Sequence, residues 1–319
     1  KIILRKPVLR SGTPRSAILT ALKACGQSFI TLLASRFWLR GTSTRAVAAE
    51  INSVFGSKIS ASTVSKFSNT FLPDAQKWLA QSVPTDIEYL FLDALYLPVR
   101  NAKFTTRQAL LVALGVSKTG KRVILGFLMG DRESLDSWTA LIKDLLDRGL
   151  NRNALLMAIS DDHKAIRSAV SQSLGIPHQL CVVHKMRNAL ARVAAPHRKK
   201  FYADFTNAFW AESREKALLN LGALHANWIN IYPKAAQIAC ADHDHFLRFF
   251  DQPKHLWTLL RSSNLIERFN RELRRRLNPA GAMQSESELW KLVASVSIEQ
   301  QNRWSKRKIS QPRQHLLAA

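Results

Sequence analysis

The stretch Ile87-Glu-Tyr-Leu-Phe-Leu-Asp93-Ala-Leu-Tyr-Leu97 constrains this chain more than any other. It is a nearly continuous apolar run of strand length, which predicts a strand covered on both faces. Such a strand needs neighbours for its hydrogen bonds and helices for cover, which puts the middle of the chain in the α/β class. Asp93 interrupts the run. A bare carboxylate there loses much of its hydration, at a cost that must be offset by a partner or a bound cation.

The flanking pattern fills in the sheet. Gln108 to Gly115 and Val123 to Met129 read as strands joined by a turn at Lys118–Lys121. Ser134 to Arg148 reads as an amphipathic helix with Leu135, Trp138, Leu141, Ile142, Leu145 and Leu146 on one face. Ala154 to Ser160 is a fourth strand, Lys164 to Leu174 a helix, Gln179 to Val183 a short fifth strand, and a helix follows from His184. A three-strand meander followed by helix, strand, helix, strand is the order of an RNase H-like mixed sheet. Residues 196–250 return to helical spacing, with Phe201, Phe205 and Phe209 every fourth position, and read as a helical insertion. Residues 264–276 and 286–304 predict two more helices.

Ahead of the sheet, residues 18–40 read as a helix, and the next segment has the pattern of a helix-turn-helix. Thr42 or Ser43 can cap a helix that Gly56 ends, with Val47 and Ile51 inward. Ser60 can cap a second helix, on which Val64 and Phe67 pack inward while Ser62, Thr63, Ser65 and Lys66 face out, as a recognition helix would toward DNA. The expected organisation is therefore a helical DNA-binding region at 1–84, the first part of the core at 85–195, the insertion at 196–252, and the rest of the core with basic helices at 253–319.

Charge supports a polyanionic partner. The chain carries +24, of which +10 falls in residues 1–84 and +8 in residues 252–319. No stretch approaches the length of apolar sequence needed to span a bilayer. The segment Lys1 to Arg15 is basic and broken by prolines, without the apolar core of a secretory signal. Three cysteines do not suggest a disulfide framework. The expectation is a cytoplasmic, nucleoid-associated protein.

Two more carboxylates stand out. Asp161 ends the fourth strand; if that strand lies beside the one carrying Asp93, both acids emerge at one rim, where carboxylates gather a hard cation. Asp161 also reads as a helix cap, a role that suits Asp162 better. Glu267 lies three residues after Asn264, which is equally the spacing of a capping box.

Taken in order, five motifs resemble the Mutator-type transposases of bacterial insertion sequences. They are Phe91 to Arg100, Ile124 to Phe127 with Glu133, Ser134 and Trp138, Ile159 to His163, Cys181 to Asn188, and Ser263 to Arg276. The resemblance implies a D-D-E triad of Asp93, Asp161 and Glu267. The helical insertion accounts for the 106-residue separation of the last two (267 − 161). Asp162 stands where the family usually has Ala or Gly, and Asp161 is taken as the ligand.

What the resemblance implies is Mg²⁺ or Mn²⁺, two ions, in a reaction that first frees a 3′-hydroxyl by hydrolysis and then joins it to a second phosphodiester. The implied partners are double-stranded DNA at the element's ends (terminal inverted repeats) and target DNA, with a homodimer or larger assembly on DNA. Arg268, Arg271, Arg274, Arg275 and Arg276 fall mostly on one helical face beside Glu267 and would hold phosphates. Cys181, His184 and Asn264 are supporting residues. Zinc is disfavoured, because the pairs Cys181/His184 and Cys240/His243 sit some 60 residues apart. The competing readings are an RNase H-like nuclease without strand transfer and a domesticated DNA-binding regulator.

Overall fold

The structure is a computed structural model that describes residues 17–69, 72–100, 105–130, 132–278 and 286–305. Two compact units make up the chain: Lys1–Asp74 with Arg275–Gly281, and Ala75–Arg274 with Ala282–Ala319.

The first unit is helical. Helix α1 (Ala17–Leu39) is kinked at Gly26, and α2 (Thr44–Phe55) and α3 (Ala61–Ser68) follow. Ser43 caps α2 by accepting from Ala46 N, and Ser60 caps α3 by accepting from Thr63 N. Gly56 closes α2 at φ 64°, a left-handed conformation that costs glycine nothing. Val47, Ile51 and Val64 are buried, as their spacing predicts. The connection between α2 and α3 is latched by Asn52. Its Nδ2 donates to Ile59 O at 2.8 Å while its Oδ1 accepts from Ile59 N at 2.8 Å. Gly41 packs so closely against the backbone of Arg276 that a Cβ would run into the Arg276 carbonyl. Helix α4 (Leu72–Leu79) spans the boundary to the second unit.

The second unit holds a five-stranded mixed sheet in the order β3-β2-β1-β4-β5. β1 (Ile87–Arg100), β2 (Thr105–Ser117) and β3 (Arg122–Gly130) form an antiparallel meander, and β4 (Met157–Ser160) and β5 (His178–Leu180) run parallel to β1. On one face, Leu90 and Leu92 pack with Trp138, Leu141, Ile142 and Leu145 of α5 (Leu135–Asp147) and with Ile166, Ala169 and Val170 of α6 (Lys164–Ser173). Phe91 and Leu95, which alternate with them, are equally buried on the other face. Both edge strands are closed by glutamines. Gln179 of β5 donates to Phe246 O and accepts from Phe249 N, while Gln301 reaches Ile124 N and Arg122 O of β3.

The structure departs from the sequence reading at several points. β4 starts at Met157, because Arg152–Ala154 forms a 3₁₀ turn capped by Asn151. β5 stops at Leu180, and Val182 and Val183 begin α7 (Val182–Leu190) instead of extending the strand. Asp162 does not cap α6; it accepts from Arg167 at 2.9 Å, and the cap position falls on His163, whose side chain makes no capping bond.

The insertion is helical: α8 (Arg198–Phe209), α9 (Arg214–Trp228), α10 (Pro233–Cys240) and a short α11 (His243–Phe246). Phe201, Phe205 and Phe209 are fully buried, and Trp228 Nε1 donates to Asp204 Oδ2 at 2.7 Å. α12 (Trp257–Leu260), α13 (Asn264–Leu277) and α14 (Glu286–Ser305) complete the described chain. Among the described residues no helix is long and apolar enough to cross a membrane.

Candidate active site

Strand register builds the site. β1 and β4 pair in parallel with Phe91 opposite Ile159, so Asp93 and Asp161, each two residues further on, reach the same level on neighbouring strands. Neighbouring strands lie about 5 Å apart. β4 and β5 pair with Ser160 opposite Leu180, which brings Cys181 to that level as well. The C-terminal rim of the parallel strands therefore presents Asp93, Asp161 and Cys181 side by side.

The two aspartates are crowded. Burial, and then the neighbouring Asp161, push the Asp93 carboxyl up to about 7, although Asn270 Nδ2 donates to its Oδ2 at 2.8 Å and Ala94 N to its Oδ1 at 3.0 Å. Burial also raises Asp161, against the pull of His184 and His163. A third acid adds to the repulsion. Glu133, on the connection from β3 to α5, is raised by burial and by Asp161; its Oε1 accepts from Trp138 Nε1 at 3.1 Å and lies 3.3 Å from His163 Nδ1. Excess buried negative charge of this kind is relieved by a cation.

Glu267 enters from α13. Its Oε1 accepts from Ser263 Oγ at 2.9 Å and lies 3.5 Å from His184 Nε2, while its Oε2 lies 3.7 Å from Arg187 Nη1. His184 stands between the acids: the Cys181 thiol, against the cost of burial and with Glu267 and Asp161 adding, pushes it up to about 9. Burial of the Cys181 thiol is outweighed by His184 and Ser263, so its pKa falls below the usual value. Among the described residues, Cys181, His184 and Glu267 each bring one ligand atom to within 4.8 Å of the others, whereas Asp93, Asp161 and Glu267 do not form such a set. Glu267 is thus turned toward Cys181 and His184.

The supporting cast differs from the sequence reading in two places. Asn264 does not cap α13; it lies in the first turn, exposed, and Ser263 just before it holds Glu267. Arg276 does not face solvent. It is 6% exposed, and its Nη1 donates to Leu39 O within the first unit, so it serves packing rather than phosphate. Arg268, Arg271, Arg274 and Arg275 are exposed. Ser62 and Lys66 are exposed on α3, and the hydroxyls of Ser62 and Thr63 both bond to Ser60. Glu272, five residues after Glu267 on α13, lies 3.8 Å from Arg303 and takes no part in the acidic cluster. Cys240 takes no part in the cluster: its thiol donates to Leu221 O. Ser263 and Asn270 are the residues that local pattern does not single out.

Residues 1–307 match the family described as Transposase, Mutator family. The transposase for insertion sequence element ISRM5 of Rhizobium meliloti (strain 1021) is 29% identical over 307 residues, covering 95% of this chain and 76% of that one. The transposase for insertion sequence element IS406 of Burkholderia multivorans (strain ATCC 17616 / 249) is 32% identical over 286 residues, covering 88% and 72%. A chain of the simian T-cell lymphotropic virus intasome in complex with PP2A regulatory subunit B56 gamma overlaps 65% of this chain and 64% of its own at 11% identity and a TM-score of 0.21, too low to carry an argument. On the family match and these relatives, the chain belongs to the Mutator family of transposases.

Proposed function

We propose that this transposase cuts and joins DNA at the ends of a mobile element with a D-D-E set, Asp93, Asp161 and Glu267, on an RNase H-like core. One observation carries the reading: the β1–β4 register that sets Asp93 and Asp161 side by side at a buried rim. The donor set is all carboxylate oxygen at its centre, which suits Mg²⁺ or Mn²⁺. Bound there, a pair of such ions would stabilise the attacking and leaving oxygens of an in-line displacement at phosphorus.

The chain's own residues prepare that site. Asn270 and Ala94 N fix the Asp93 carboxylate, and burial keeps bulk water from screening it. Glu267 completes the set by turning from Ser263 and His184 toward Asp161. Arg187, Arg268, Arg271 and Arg274, exposed on α7 and α13, bind the phosphates that flank the scissile bond. α2 and α3 act as a helix-turn-helix that positions the duplex, with Ser62, Thr63 and Lys66 toward it. The partners are element-end duplex and target DNA, bound by two or more copies of the chain.

The test is an assay of nicking and strand joining on end-containing duplex. Wild-type protein is expected to nick and to join a 3′-hydroxyl end into a second duplex with Mg²⁺ and not with EDTA. Asp93→Asn, Asp161→Asn and Glu267→Gln are expected to bind the duplex and leave it intact. Nicking without joining favours a nuclease, and nicking by all three variants at the wild-type rate removes the reading.

A further inference from the structure

We infer that Cys181, His184 and Glu267 form a second metal site, one for a borderline transition-metal ion such as Zn²⁺, whose occupation shuts the enzyme off by holding Glu267 away from Asp93 and Asp161. A sulfur, an imidazole nitrogen and a carboxylate oxygen lie within 4.8 Å of one another. With metal–ligand bonds of about 2.0–2.3 Å, a tetrahedral zinc ion sets its ligands roughly 3.3–3.8 Å apart. The 3.5 Å separation of His184 Nε2 from Glu267 Oε1 already matches one such edge. Closing the rest takes about 1 Å of side-chain adjustment.

Two features separate this set from an accidental cluster. Cys181 and His184 are fixed by the end of β5 and the first turn of α7, so two donors come from backbone that is already rigid. Ser263 N donates to Cys181 Sγ at 3.3 Å, a bond that steadies a thiolate ligand. The donor chemistry differs from that of the aspartates: thiolate and imidazole select zinc or cobalt, whereas oxygen ligands select magnesium. On binding, a metal–sulfur bond replaces the S–H bond and the proton passes to solvent. Three protein ligands leave the fourth position to water.

Binding stands independently of the D-D-E reading; inhibition rests on the proposed role of Glu267, and the two are measured separately. Co²⁺ is titrated into the purified full chain. Tetrahedral visible bands with a near-ultraviolet sulfur-to-cobalt band are expected, displaced by one equivalent of Zn²⁺. Cys181→Ser loses the sulfur band and His184→Asn weakens binding by about ten-fold or more. Asp93→Asn and Cys240→Ser keep wild-type spectra. In the second arm, saturating Zn²⁺ lowers Mg²⁺-dependent nicking about ten-fold or more, and EDTA followed by fresh Mg²⁺ restores it. Each variant is compared with its own zinc-free rate, and circular dichroism confirms that it is folded. The absence of a sulfur band in wild-type protein, or its loss in Cys240→Ser alone, overturns the site. A bound, spectroscopically normal Zn²⁺ with undiminished nicking overturns the inhibition and speaks against Glu267 as a catalytic ligand.

Discussion

Asn270 connects the helix carrying Glu267 to the strand carrying Asp93. It is 1% exposed, and its Nδ2 is committed to Asp93. Residues that orient a ligand in this way typically contribute about 10–100-fold to metal affinity or activity. Asn270→Ala is therefore expected to raise the Mg²⁺ concentration needed for half-maximal nicking by about that factor while leaving duplex affinity unchanged; an unaltered Mg²⁺ dependence contradicts the role. His178 offers a second prediction at this scale. Burial, then the positive charges of His245, Arg167 and Arg248, lower its pKa from 6.5 to about 3, and Ser160 Oγ lies 2.8 Å from its Nε2. Because the folded value lies below the unfolded one, the stabilisation is complete above pH 6.5 and is lost as the pH falls toward 3. Between pH 7 and pH 5 this costs about 2 kcal/mol, which His178→Gln is expected to remove from the pH dependence of the denaturation midpoint. Identical slopes in the two proteins would refute it. Asp93 was legible in the sequence because a charge inside an apolar strand has no ordinary explanation. Asn270, Ser263 and the turned position of Glu267 were not, since the Asn270–Asp93 bond spans 177 positions and nothing local marks it.

Elements were read best where hydrophobic period and length agree. β1, α5 and the phenylalanine-rich α8 lie where their patterns put them. The boundary between β5 and α7 was misplaced because Val182 and Val183 are β-branched and read as strand, whereas their backbone turns into the helix whose first amide bonds to Arg261 O. The capping role assigned to Asn264 failed for a similar reason: Ser263, one residue earlier, accepts the α13 backbone bond from Glu267. Asn52 gives the test at this scale. It joins α2 to the start of α3 through two backbone bonds of 2.8 Å, and losing both leaves the half-buried Ile59 N–H and C=O unmatched. Asn52→Ala is expected to destabilise the first unit by about 1 kcal/mol and to weaken duplex binding. A thermal transition and affinity equal to wild type would dismiss the latch.

For the molecule as a whole, charge was legible early and its division of labour was not. The +24 total and the arginines of α13 point to DNA, yet Arg276 is spent inside the first unit. The difference is measurable by salt titration of duplex binding. Arg268→Ala, Arg271→Ala and Arg274→Ala are each expected to reduce the log–log salt slope by about 1, whereas Arg276→Ala lowers thermal stability and leaves the slope nearly unchanged. Equal slopes for all four variants would remove the distinction. The proposed chemistry needs three carboxylates sharing one cation site. Electron paramagnetic resonance of Mn²⁺ added to the chain bound to end-containing duplex tests that directly. Bound Mn²⁺ is expected in wild type, with affinity falling about ten-fold or more in Asp93→Asn, Asp161→Asn and Glu267→Gln alike. Wild-type Mn²⁺ affinity retained in all three would contradict it.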